Sequence, residues 1–159
     1  MALKNILAAG SLLFLLIGCS AGIIKTNGST EETQAEFPPS MAGMVRIDGE
    51  LHDLKEGNLR WERKSGTGTE VAMTDAASPP QLAEEVVAIQ ASPNAVIELE
   101  IERDPEISVY HWSENRREEK IELTDHQFQV PVSGGRYIYE VLATWEGGEV
   151  SYTFVIEVE

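Results

Sequence analysis

Beyond about residue 43, apolar and polar positions alternate with period two over most of the chain. In Val96-Ile97-Glu98-Leu99-Glu100-Ile101-Glu102, Ile97, Leu99 and Ile101 share one face and the three glutamates share the other. Three like charges at this spacing make a poor helix surface but an ordinary solvated face of a half-buried strand. Nearer the C-terminus, Tyr137, Tyr139, Val141, Ala143 and Trp145 alternate with Ile138, Glu140, Leu142 and Thr144. Val150, Tyr152, Phe154, Ile156 and Val158 then alternate with Ser151, Thr153, Val155 and Glu157. Two β-branched and aromatic runs on either side of Gly147-Gly148 predict a hairpin. Shorter runs predict further strands at Val45–Ile47, Leu59–Lys64, Val86–Gln90, Ile107–Trp112, Lys120–Leu123 and Gln127–Val130. All seven prolines fall between these runs, as ladder hydrogen bonding requires. Only Pro80–Glu85 reads as briefly helical, with Ser78 as its cap. Short strands at this spacing without long helices predict an all-β, antiparallel sandwich over residues 42–159. That is about 118 residues, enough to bury roughly two-thirds of the unfolded surface.

The N-terminal pattern is of another kind. Residues 1–18, MALKNILAAGSLLFLLIG, carry Lys4 as their only charge, followed by an apolar stretch from Ile6 to Ile17. About a dozen apolar or small residues are too few for a spanning helix of roughly 20, and the flanks are those of a secretory signal peptide. The next residues, Leu16-Ile17-Gly18-Cys19, resemble the lipobox of bacterial lipoproteins. The resemblance implies that the Cys19 thiol receives a diacylglyceryl group and that signal peptidase II then cuts between Gly18 and Cys19. The residue types suit the chemistry: a thiolate is the nucleophile that thioether formation needs, and Gly18 leaves the scissile bond approachable. The alternative is that Cys19 is a small residue near the end of a signal cleaved elsewhere. Two acyl chains, at about 0.8 kcal/mol per buried CH₂, would anchor the protein on the extracytoplasmic face of the cell membrane without a spanning helix.

Residues 20–41, SAGIIKTNGSTEETQAEFPPSM, are rich in Ser, Thr, Glu, Gln, Asn and Gly and end in Pro38-Pro39-Ser40-Met41. Such a composition buries too little to offset chain entropy. With the lipidated cysteine, residues 19–41 are read as a flexible tether holding the domain some 25 Å from the membrane (roughly 5–6 Å × √n).

Within the C-terminal half, Gly135-Arg136-Tyr137-Ile138-Tyr139-Glu140-Val141-Leu142-Ala143-Thr144-Trp145 looks like the penultimate strand of immunoglobulin-like domains. The resemblance implies an immunoglobulin-like sandwich, with a tyrosine-corner hydrogen bond from Tyr137 or Tyr139 and a buried tryptophan at Trp112. The inter-sheet cysteine pair of antibody domains is absent. The wider pattern, PxIxVYxW…FxVPxxGGxYxYEVxAxWxxGxxxYxFxVxV, is similar to surface lipoproteins of Bacillus-like Firmicutes. That family has no established activity to carry over, so the resemblance bears on fold and location alone.

Charge and composition narrow the chemistry. The chain has 159 residues, with 27 acidic against 12 basic side chains, a formal net charge of −15. Removing residues 1–18 takes away Lys4 and leaves 11 basic against 27 acidic residues, a formal −16. No basic face is visible for phosphate binding, so nucleic acid is not expected as a partner. On an outward-facing domain this acidity would keep the chain hydrated and off anionic headgroups. The single cysteine excludes an internal disulfide and a Cys-rich zinc site.

The histidines, His52, His111 and His126, show no HxH, HxxxH or HExxH spacing, and no metal or other cofactor is assigned. They read as strand-end or loop residues, with His111 exposed if Trp112 is core. There is no GxSxG elbow, and Ser65-Gly66-Thr67-Gly68-Thr69 lacks the lysine of a phosphate loop; it reads as a hairpin tip. Carboxylate pairs are available anywhere among so many acids and are uninformative. No catalytic residue is assigned, and the chain is read as non-enzymatic.

Among the tryptophans, Trp112 and Trp145 lie on apolar faces and are expected in the core. Trp61, between Arg60 and Glu62, is the candidate binding surface. Arg116-Arg117-Glu118-Glu119-Lys120 mixes signs and is expected to be a solvated hairpin tip. The leading expectation is a membrane-anchored extracytoplasmic lipoprotein serving as a non-catalytic binding or accessory module of the cell envelope. Its ligand would be a protein, a peptide or a cell-wall component. The alternatives are a structural or envelope-stress protein without a specific ligand, and a small proteinase-inhibitor-like sandwich with a protruding loop around Thr67 to Pro80.

Overall fold

The computed structural model describes residues 36–159. The expected signal peptide (1–18), the Leu16-Ile17-Gly18-Cys19 segment with its cleavage point, and the tether through residue 35 lie outside the described residues. The chain then runs β1 (Gly43–Ile47), β2 (Glu50–Asp53), β3 (Lys55–Ser65), β4 (Gly68–Thr74), α1 (Pro79–Leu82), β5 (Ile89–Ala91), β6 (Val96–Ile101), β7 (Glu106–Ser113), β8 (Arg116–Ile121), β9 (Gln127–Gln129), β10 (Gly135–Trp145) and β11 (Gly148–Val158). One sheet has the order β2-β1-β6-β9 and the other β4-β3-β11-β10-β7-β8. β5 joins the second sheet by a parallel pairing with the end of β11, Ile156 opposite Ile89 and Val158 opposite Ala91. The fold is an all-β sandwich of packed antiparallel sheets, as the alternation predicts.

The core lies between the sheets. Val45, Ile47, Ile97, Leu99 and Phe128 come from the smaller sheet, and Trp61, Val109, Tyr139, Val141, Ala143, Val150, Tyr152, Phe154, Ile156 and Val158 from the larger. Glu98 and Glu100 take the solvent side of β6, where Arg46 stands opposite Glu98 and donates from Nε to Glu100 at 2.8 Å. The hairpin predicted at the C-terminus is β10–β11, in register from Gly135 opposite Val158 to Trp145 opposite Gly148. Its two glycines serve different ends. Gly147 turns the chain at φ +89°, whereas Gly148 begins β11 and leaves room for the ring of Trp61.

β11 is buried on both faces. Ser151, Thr153 and Val155, on the polar phase of the alternation, are buried, as are Tyr152 and Phe154 on the apolar phase. The cover is the crossing from β4 to β5, in which α1 packs on β3, β10 and β11 with Leu82 and Ala83 buried. Leu82 fits because Gly57 beneath it has no side chain; a Cβ there would stand 3.3 Å from Leu82 Cδ1 and 2.7 Å from Ser151 Oγ. The helix is only four residues long and is fixed at both ends. The Ser78 backbone N–H donates to Gln81 Oε1 at 3.1 Å, the reciprocal half of a capping box, and Arg136 Nη2 donates to the Ala83 carbonyl at 2.7 Å.

The stretch assigned to the tether meets the domain before residue 42. Met41 is buried in the core, and Phe37 packs against it beneath the Arg63 guanidinium, 4.3 Å from the ring centroid. The buried Tyr152 hydroxyl donates to the Met41 carbonyl at 2.8 Å. Burial first, then the carboxylates of Glu56 and Glu102, hold this phenol well above its ordinary pKa, so it stays a donor. Tyr152→Phe removes that bond alone. It is expected to cost about 1 kcal/mol, read as a lower urea midpoint at unchanged slope.

Candidate functional site

A cleft of about 820 Å³ lies between β2 of the smaller sheet and the 86–90 segment, which ends in β5, of the larger. Its walls arise because the two sheets part where β2 and β5 each run out of neighbours. Among the described residues β2 pairs only with β1, and β5 only with β11. Ile47 and Phe154, both fully buried core residues, reach its floor, with Ile89 beside them.

Leu51 and Val87 stand on the lips, 41% and 87% exposed. They are two of the six large apolar side chains that the described residues leave open to solvent. Asp48, Glu50, His52 and Asp53 complete the β2 side, and no lysine or arginine among the described residues lines the cleft. The nearest lysine in sequence, Lys55, is already paired with Glu85 at 3.3 Å. A shallower depression of about 310 Å³ continues past Asp48 and Gln90 to Pro93 and the terminal Glu159, adding a further carboxylate. The cleft therefore combines an apolar floor, a negative rim and two unpaired strand edges.

Sequence pattern alone does not show β2. Its four residues, Glu50-Leu51-His52-Asp53, are mostly exposed and show no clear apolar phase. The signal that could find it is the Asp48-Gly49 pair just after Val45–Ile47. Both residues have positive φ, 51° and 85°, and Ile47 stands opposite Glu50, the two-residue hairpin that an Asp-Gly dipeptide favours.

Trp61, the candidate binding surface, is buried rather than exposed. It is only 6% exposed, lying across Gly148 on the neighbouring strand and against Trp145 with ring centroids 5.5 Å apart. The glycine opposite it, not its charged neighbours in sequence, decides its side. Trp145 lies at the core edge, as expected, and donates from Nε1 to the Glu102 carbonyl at 3.0 Å.

Trp112 departs from expectation. The register sets it beside Ile138 and Glu140 on the outer face of the larger sheet, and it is His111, opposite Tyr139, that points inward. The His111 ring packs 5.7 Å from Tyr137 and 5.8 Å from Tyr139. His111 also bonds Glu118; that contact first, and Ser113 second, hold the Glu118 carboxyl below its ordinary pKa. His52 lies in the cleft and His126 in the turn before β9. Among the described residues no group of three or more His, Cys, Asp or Glu side chains is placed to hold a metal ion. Gly18 and Cys19 lie outside the described residues.

The charged run Arg116–Lys120 is not a hairpin tip but strand β8; the turn is at Glu114-Asn115, just before it. Arg117 reaches back across β7 to the buried carboxylate of Glu140, donating from Nε at 2.9 Å and Nη2 at 2.7 Å. Trp112 Nε1 adds a third donor at 2.7 Å. Beside this group a second concavity, of about 560 Å³, reaches Met73 and Leu142. The Glu140 oxygens are already occupied, so the cluster braces the sheet and offers no free acid or base. The Thr67 to Pro80 stretch, where an inhibitor-like sandwich would carry a protruding loop, is β4 and the lead into α1. Of Tyr137 and Tyr139, for which the resemblance implies a phenol-to-backbone bond, it is Tyr137 that makes one, donating to the Ser133 carbonyl at 2.8 Å. Comparison of the chain with family models, curated proteins and solved structures gives no match.

Proposed function

We propose that the chain is a lipid-anchored protein of the cell envelope whose β-sandwich serves as a non-catalytic binding or accessory module on the extracytoplasmic face. The anchor rests on the N-terminal sequence: a charged-then-apolar segment closed by Leu16-Ile17-Gly18-Cys19, with Cys19 the only cysteine. The binding role rests on the cleft between β2 and the 86–90 segment, where Leu51 and Val87 stand exposed over an apolar floor. A domain that only spaced or shielded would gain nothing from leaving apolar side chains open at a concave edge.

The anchor is tested by Cys19→Ala. The variant is expected to lose metabolic labelling by a fatty-acid analogue and to leave the membrane fraction or accumulate as uncleaved precursor. Normal processing with unchanged fractionation would overturn the lipid assignment. The binding role is tested separately, by photo-crosslinking on intact cells from probes spread over the domain surface. A specific partner is expected above a lipid-anchored control domain, and its absence from every position would overturn a binding role.

A further inference from the structure

We infer that the cleft takes an extended peptide of alternating apolar and basic residues, which adds to β2 as a further strand of the smaller sheet; this rests on the binding-module reading above. Backbone geometry supplies the first reason. In the β1–β2 pair, Ile47 stands opposite Glu50 across a two-residue turn, and the Leu54 N–H bonds the Gly43 carbonyl. Hydrogen-bonded and non-hydrogen-bonded pairs alternate along an antiparallel ladder. Glu50 and His52 therefore spend their backbone groups on β1, and Leu51 and Asp53 turn theirs to the free edge. A strand laid there continues the sheet in the manner of peptide recognition by strand addition. The four residues of β2 offer it about 13 Å, at roughly 3.3 Å per residue.

The side chains give the alternation. A strand beside β2 turns every second residue toward the space between the sheets. There Ile47, Phe154 and Ile89 form an apolar floor that extends to Val86 and Val87. The intervening residues meet water and the Asp53 carboxylate on the outer face, whereas Glu50, opposite Ile47, stands on the inner face at the rim of the floor and Asp48 lies in the turn; no basic side chain among the lining residues answers these acids. The charge of the cleft thus selects a basic partner and rejects a second copy of this chain, whose formal charge is −15. Another edge strand, β4, has Val71 and Met73 open to solvent, but it is exposed along nearly its whole length and has no buried floor.

The test uses the full-length chain and a fluorescently labelled seven-residue peptide of alternating lysine and valine, titrated by anisotropy. Two control peptides replace valine by serine or lysine by glutamate. The lysine–valine peptide is expected to bind at least about tenfold more tightly than either control. Upon binding, the Leu51 and Asp53 amides are expected to gain protection from hydrogen exchange. The double variant Glu50→Lys with Asp53→Lys should weaken binding by about tenfold, as expected for removing rim charges that steer and hold a cationic ligand. Leu51→Pro should weaken it similarly, because it removes an outward N–H that β1 does not use.

Equal binding of the lysine–valine and lysine–serine peptides would overturn the proposal, leaving only unspecific charge attraction. Protection gained on β4 rather than on Leu51 and Asp53 would overturn it as well. A crosslinking probe at Val87 separates this failure from that of the broader reading. Capture of a partner from other positions but not from Val87 would remove the cleft while keeping the binding module.

Discussion

Arg117→Ala is expected to destabilise the domain by about 3 kcal/mol at neutral pH, more than Glu140→Ala, although Arg117 is the more exposed of the pair. The reason is where each charge is left. The Glu140 side chain is 6% exposed and the Arg117 side chain 43%. Truncating Glu140 frees a guanidinium that already touches water and that still packs over Tyr110, 4.5 Å from the ring centroid. Truncating Arg117 leaves a carboxylate in the outer face of the sheet with only the Trp112 N–H as donor. An uncompensated buried charge is among the costliest single defects a fold can carry. Glu140→Gln in the Arg117→Ala background removes the charge and keeps the shape, so it should recover more than half of the loss. Chemical denaturation of Arg117→Ala, Glu140→Gln and the double variant closes the cycle. An Arg117→Ala cost within about 0.5 kcal/mol of zero would show that Glu140 rehydrates by local opening of β8, and the brace would then contribute little.

Such a brace is needed because β8 is otherwise poorly held. It is an edge strand of exposed residues, Arg116-Arg117-Glu118-Glu119-Lys120, ending in the half-buried Ile121. Its register against β7 also shifts between Tyr110 and Trp112. A long cation reaching over the neighbouring strand to a buried anion two strands in ties the edge down and still leaves it charged. Charged edges resist pairing with other chains. The edge of β2 differs: it sets the exposed apolar side chain of Leu51 among its charges and has no such brace.

These differences mark how far the sequence can be read. Strands that bury one face carry the alternation in their side chains, so β6, β10 and β11 are legible. Edge strands bury almost nothing: β2 and β4 leave no apolar phase to detect, and only the Asp48-Gly49 turn betrays β2. The Arg117–Glu140 contact depends on the register of β10 against β7 and of β7 against β8, which no local pattern encodes. Val155, an apolar residue in the polar phase of β11, is the trace in sequence of burial on the outer face as well. The cleft is less visible still, because its walls come from two sheets and lie more than thirty residues apart in the chain. Trp61 shows the same limit in one residue: its neighbours in sequence are Arg60 and Glu62, but its neighbour in space is Gly148.

That last contact gives the other large effect. Gly148→Ala is expected to cost about 3 kcal/mol, the upper end of ordinary overpacking, although it adds one methyl group in a strand that glycine would normally weaken. A Cβ on Gly148 would stand 2.2 Å from Trp61 Cδ2 and 2.3 Å from Cε3, far inside van der Waals contact. The indole is rigid, and Trp145 lies against it, so it cannot shift by a few tenths of an ångström. Either it leaves the core or the β3–β11 pairing opens. Leaving is the easier course, because Trp61 Nε1 is buried with no acceptor among the described residues and would gain a hydrogen bond to water.

The variant should therefore fold with Trp61 exposed, showing a red-shifted emission and easier quenching by acrylamide. The decisive comparison is the Trp61→Ala background, in which the methyl meets no ring. There Gly148→Ala should be neutral or stabilising by about 0.5 kcal/mol, since alanine has less backbone entropy to lose. An equal cost in both backgrounds would place the damage in the β10–β11 turn and not in the indole. The expected coupling would instead make the absent side chain at position 148 the reason why a tryptophan flanked by charges is core.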